Sequence, residues 1–214
     1  MRILNRVFLL GLLLSVSFTL SPAQDSKLPS LDFTNLGNLP DQLGVAGPFT
    51  GLLGSDQDIL FVAGGANFPI PIWENSKEYH SKIYLGKLSS SNSIEWISSN
   101  FSLPDKIGYG ASVTVDLGVI CMGGHNSNQV FDEVFLMVWD EQNEKLTKYT
   151  LPSLPETSTH GGAAVVGNYV YYTCGQTGLG LETATNSLWR LNISELNGVI
   201  NSEGCLFIEQ EYFF

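Results

Sequence analysis

The 214 residues are 43% hydrophobic, 11% aromatic and only 14% charged, with 22 glycines and a formal charge of −11. Low charge with abundant glycine and aromatics excludes a disordered chain and a coiled coil, and fits an all-β protein with many tight turns. So large an excess of acid cannot neutralise a phosphate backbone or an anionic bilayer, which argues against nucleic acid or a membrane surface as partner.

The chain opens on a targeting pattern. Arg2 and Arg6 precede an apolar stretch from Val7 to Leu20, and Ser21 and Ala23 supply the small-x-small spacing at which signal peptidase cuts. An apolar run of about 14 residues is short for a bilayer core of about 30 Å, so a transmembrane anchor is the weaker reading. Residues 1–23 are expected to be a cleavable signal peptide of a periplasmic or secreted protein, and 24–38 a linker. Cleavage would leave eight basic against 21 acidic residues, a formal charge of −13, with Arg190 as the last arginine. Three cysteines (Cys121, Cys174 and Cys205) are too few and too scattered for a disulfide scaffold. Cys121, inside an apolar run, reads as a small buried hydrophobe.

From residue 39 the chain repeats itself. The first unit, 39–102, runs through Gly44-Val-Ala-Gly-Pro-Phe-Thr-Gly51, Ile59-Leu-Phe-Val-Ala-Gly-Gly65, Ile83-Tyr-Leu85 and Ile94-Glu-Trp96. The second, 103–153, runs through Gly108-Tyr-Gly-Ala-Ser-Val-Thr114, Gly118-Val-Ile-Cys-Met-Gly-Gly124, Val134-Phe-Leu136 and Leu146-Thr-Lys-Tyr149. The third, 154–191, offers His160-Gly-Gly-Ala-Ala-Val-Val166, Tyr169-Val-Tyr-Tyr-Thr-Cys-Gly175 and Leu188-Trp-Arg-Leu191, and is incomplete. Cys174 there replaces the first glycine of the pair, and a Leu-Pro pair opens each unit at Leu39-Pro40, Leu103-Pro104 and Leu154-Pro155. The anchors lie 59 and then 51 residues apart, and the excess sits in one loop, Ala66 to Lys82. A period of about 50 residues, with four short strands per unit and a glycine pair closing the second, is the kelch blade of a β-propeller. A first strand of small residues suits a crowded channel, a continuous apolar second strand suits burial between blades, and the glycine pair suits an exit through positive φ.

Gly44-Val-Ala-Gly-Pro-Phe49, Phe61-Val-Ala-Gly-Gly-Ala-Asn-Phe-Pro69, Tyr109-Gly-Ala-Ser-Val113 and Gly118-Val-Ile-Cys-Met-Gly-Gly124 resemble the cyclically permuted mutarotase family, from about Leu39 to Leu191. The resemblance implies a six-bladed kelch propeller, secreted or periplasmic, that interconverts the anomers of a reducing sugar such as N-acetylneuraminate through its open-chain form. That chemistry needs a general acid and a general base and neither metal nor organic cofactor. Two departures stand out. Members of the family carry a proposed catalytic glutamate in an Asn-Gly-Glu segment, whereas Gly162-Ala-Ala-Val-Val166 leads here to Cys174-Gly-Gln176; the catalytic residue is therefore unassigned and expected in a further blade. The second glycine pair is followed by His125-Asn126, where the family pattern is Glu-Asn.

Loops after the second strands reach one propeller face, so Asn67, Phe68, Trp73, His125, Asn126 and Gln176 are candidates for sugar contact, with turn closure the alternative for the asparagines. Tyr109 and His160 open first strands and are candidates at the channel mouth, with packing as the alternative. Asp56 and Asp58 lack the regular oxygen spacing of a calcium loop, and three histidines, one per blade, give no metal signal. The sequons at Asn100 and Asn192 matter only in a eukaryotic secretory pathway. Zincin, phosphate-loop and serine-hydrolase motifs are missing. The competing function is a non-catalytic secreted kelch module that holds a glycan or a protein.

Six blades need about 300–350 residues. The 191 residues left after cleavage suffice for three, and 192–214 departs from the pattern. The expected architecture is thus an all-β partial propeller, about three of six blades, whose open blade edges invite self-association.

Overall fold

Residues 31–89, 93–97 and 100–201 are described by a computed structural model of the chain. The expected signal peptide, residues 24–30 of the expected linker and residues 202–214 lie outside the described residues. Those from Thr34 onward belong to one unit; of the preceding unit, Met1–Phe33, only residues 31–33 are described, without regular structure.

In chain order, β1 (Phe49–Leu53) and β2 (Ile59–Ala63) are followed by a short ribbon, β3 (Ala66–Asn67) and β4 (Glu78–Tyr79), and then by β5 (Ile83–Leu88) and β6 (Ile94–Ile97). Next come β7 (Ala111–Val115), β8 (Gly118–Met122), β9 (Val134–Asp140) and β10 (Lys145–Leu151). The last strands are β11 (Gly162–Val166), β12 (Tyr169–Thr173) and β13 (Leu188–Asn192), followed by a helix α1 (Leu196–Asn201). They pair in meander order into antiparallel sheets β1-β2-β5-β6, β7-β8-β9-β10 and β11-β12-β13, so the fold is all-β with kelch-type blades. The ribbon β3-β4 rises from the long loop of the first blade and has no counterpart strand pair in the other two.

Blades meet first strand to first strand, β1 against β7 and β7 against β11. The edge of β1 that faces away from β2 is met by side chains of the next blade. Ser112 Oγ and Thr114 Oγ1 accept from the backbone N–H of Thr50 and Leu52, both at 3.0 Å, and Ser112 also donates to the Thr50 carbonyl at 2.8 Å. An otherwise open strand edge is thereby closed by hydroxyls.

Between the first two blades lies a core of Phe49, Leu53, Ile59, Phe61, Ile83 and Leu85 against Val119, Cys121, Phe135 and Met137. Phe49 meets Phe135 edge to face at 5.7 Å, a favoured aromatic geometry. Cys121 is fully buried there, and burial pushes its thiol well above the ordinary range. A second core sets Ala111, Val113, Val115, Ile120, Met122, Val134 and Leu136 against Val170 and Tyr172. Every residue of β8 is buried because blades cover both of its sides, which is why its sequence is a continuous apolar run. In β12 burial alternates instead.

The glycine pairs leave their strands through positive φ, at Gly64 and Gly65 (67° and 89°) and at Gly123 and Gly124 (59° and 108°). A Cβ on Gly64 would strike the carbonyl of Ile107, and one on Gly123 that of Ser158, because the approach to the following blade crosses directly above. Cys174 keeps the same left-handed backbone, φ 58°, with its side chain exposed. The Leu-Pro pairs anchor those approaches, with Leu103 and Leu154 buried and their N–H groups donating to Ser81 and Asp132 carbonyls.

The tail departs from a patternless reading at α1. Its Leu196 and Val199 are buried in the second core beside Val113 and Val115, so a six-residue segment containing Gly198 is held helical by burial rather than by propensity.

Candidate functional site

Three equivalent backbone positions build one end of the arc. Gly47, Tyr109 and His160 all have left-handed φ, 62°, 61° and 58°. They are linked blade to blade, Tyr109 N–H donating to the Gly47 carbonyl at 2.7 Å and His160 N–H to the Tyr109 carbonyl at 2.8 Å. The preceding residues, Ala46, Gly108 and Thr159, bridge to Ala66, His125 and Gln176 in the loops that follow the second strands. First-strand entries and second-strand exits therefore share one face, and the side chains at these positions converge by symmetry of the repeat.

Tyr109, His125 and His160 form a triangle with ring centroids 5.0 Å apart on each side, the Tyr109 and His125 planes only 17° from parallel. Tyr79, from β4, closes it with an edge-on contact to His125 at 5.4 Å and to Tyr109 at 6.3 Å. Lys77 lies over both tyrosines, its Nζ 5.0 Å from the Tyr79 ring centre and 4.8 Å from that of Tyr109.

Thr159, fully buried, ties this group across the blade boundary. Its Oγ1 lies 2.7 Å from His125 Nδ1 and 3.0 Å from the Tyr109 carbonyl, and the direction of the first contact follows the tautomer of the ring. His125 Nε2 has no hydrogen-bond partner among the described residues. Burial, reinforced by the neighbouring His160 and Lys77, pushes its pKa down to about 4, so the ring is a neutral imidazole at physiological pH. A neutral imidazole with an unengaged nitrogen can exchange a hydrogen bond or a proton with a hydroxyl.

The other sequence candidates are placed differently. Asn67 closes structure, donating to the Gly44 carbonyl at 2.8 Å and accepting from His80 Nε2–H at 2.9 Å. Asn126 closes its own turn through Asn128 and Gln129 N–H groups and ties to the Lys106 carbonyl. Gln176 is buried, bridges Thr159 through its backbone and donates to the Gly180 carbonyl at 3.3 Å. Phe68 and Trp73 stand out in the long loop, Trp73 80% exposed with its indole N–H on Glu74. Asp58, at the first hairpin, pairs with Lys87 at 3.6 Å.

Thr159, Tyr79 and Lys77 were not singled out from sequence. Among the described residues no group of three or more His, Cys, Asp or Glu side chains is arranged to hold a metal ion. None of the described helices is long and apolar enough to cross a membrane.

No protein-family model matches the chain. It is 34% identical over 111 residues to N-acetylneuraminate epimerase of Vibrio cholerae, a match that covers 46% of this chain and 27% of that protein. The solved structure of YjhT aligns with a TM-score of 0.54 and 16% identity, covering 76% of this chain and 46% of that one, and has the kelch-type propeller fold. The chain spans less than half the length of either.

Proposed function

We propose that this chain, which resembles the cyclically permuted mutarotase family of kelch propellers, takes part in interconverting the anomers of a reducing sugar, N-acetylneuraminate or a close relative. The 34% identity to N-acetylneuraminate epimerase of Vibrio cholerae over 111 residues is the observation on which this rests.

The reaction asks little of a protein. The anomeric hydroxyl gives up its proton, the ring oxygen receives one, the C–O bond opens, and closure on the other carbonyl face reverses the transfers. In this reading His125, as the Nδ1–H tautomer, is the base for the anomeric hydroxyl through Nε2. The acid is assigned to no residue of this chain, the family's glutamate being expected in a further blade. The competing reading is a glycan-binding module without chemistry. In either case the chain is read as periplasmic or secreted, from the pattern over residues 1–23.

The test is exchange between anomer resonances of N-acetylneuraminate and of galactose, followed by NMR with and without the protein. Acceleration that His125→Asn abolishes supports the enzyme reading. Binding without acceleration supports the module, and neither binding nor acceleration with a folded chain sinks both.

A further inference from the structure

The long loop of the first blade, the one segment that breaks the repeat period, ends by delivering Lys77 to the ring cluster. Lys77 directly precedes β4 and lies over the Tyr79 ring, while Glu78 is turned out to solvent. The Lys77 ammonium is held by two aromatic faces and, among the described residues, by no carboxylate. Other cations of the chain are engaged elsewhere: Lys87 with Asp58, Lys148 with Glu133, Lys82 over Tyr84 and Arg190 over Tyr169. In a protein with 21 acidic residues and 10 basic ones, Lys77 thus stands without an acid partner among the described residues, beside the paired rings of His125 and His160.

We propose that Lys77 recognises the carboxylate of an acidic reducing sugar, an inference that rests on the reading of the ring cluster as a sugar site. A compact ammonium with three donors suits a carboxylate, and the tyrosine faces fix it without neutralising it. The geometry of a 2-keto sugar acid fits as well. Its carboxylate and its anomeric hydroxyl sit on the same carbon, so the cation and the base must border one point. Lys77 and His125 both border the Tyr109 ring, at 4.8 and 5.0 Å from its centre.

The experiment titrates the full chain with N-acetylneuraminate, with its carboxyl methyl ester and with galactose, by calorimetry or ligand-observed NMR. The wild-type chain is expected to bind the acid at least about tenfold more tightly than the ester. Lys77→Met should bring that ratio to within about twofold of one, and Lys77→Arg should retain most of it, circular dichroism verifying that both variants are folded. Equal affinity of the wild type for acid and ester, or a ratio that survives Lys77→Met, overturns the role of Lys77 and leaves the sugar site standing. Failure of all three ligands to bind the folded wild-type chain overturns the sugar site and this inference together.

Discussion

The second and third blades share a backbone plan and differ in what they present forward. Blade two offers Ile120, Met122, Val134 and Leu136 toward its neighbour, all buried. At the same register positions blade three carries Tyr171, Thr173, Leu188 and Arg190. Its first strand is mostly exposed where that of blade two is buried or half-buried. Apolar runs in a propeller thus record covered faces rather than strand propensity, and the same fold tolerates polar chemistry as soon as no described neighbour presses on it.

The largest effect that would sharpen this contrast is a core truncation. Leu136→Ala, at a fully buried site, is expected to cost about 3–4 kcal/mol in urea denaturation, while Leu188→Ala, 59% exposed, costs about 0.5 kcal/mol. Equal costs would mean that the forward face of blade three is covered after all. Next comes the glycine pair. Gly123→Ala forces a Cβ into the Ser158 carbonyl at left-handed φ and is expected to lose about 2–3 kcal/mol, whereas Cys174→Gly in blade three is neutral or stabilising by up to about 1 kcal/mol.

A third test uses pH. His125 in blade two stands where blade three has Gln176. Its pKa is lowered from 6.5 to about 4 by burial, then by His160 and Lys77, so the unfolded chain takes up the proton more readily than the folded one. The resulting stability is present above pH 6.5 and is lost as pH falls from 6.5 toward 4, about 2 kcal/mol between pH 8 and pH 5. His125→Gln, which makes blade two resemble blade three, should flatten that portion of the stability–pH curve. The smallest effect lies at the strand edges. Ser112→Ala removes the hydroxyl that closes β1 and should cost about 1 kcal/mol, and Ala163→Ser, which supplies β7 with the hydroxyl that blade three lacks there, should return a similar or smaller amount.

Much of this architecture is written in the sequence because it depends on short-range rules. The glycine pairs, the apolar second strands and the Leu-Pro openings each reflect a local backbone demand, and together they place all three sheets. The ring cluster was half legible. Tyr109, His125 and His160 occupy repeat positions and could be named from them. Thr159 acts through a hydroxyl aimed across a blade boundary, and Tyr79 and Lys77 lie on the loop that breaks the period, so no repeat points to them. Helix α1 was illegible for a different reason: its sequence, Leu-Asn-Gly-Val-Ile-Asn, is a poor helix former, and only the core beneath Leu196 and Val199 makes it fold.

The backbone links from Gly47 to Tyr109 and from Tyr109 to His160 use no side-chain atom. Three residues as unlike as glycine, tyrosine and histidine therefore plug into one identical socket without loosening the scaffold. A substitution between tyrosine and histidine at such a socket exchanges the chemical tool on the same backbone links, whereas at Gly47 an added Cβ would strike the Tyr109 ring.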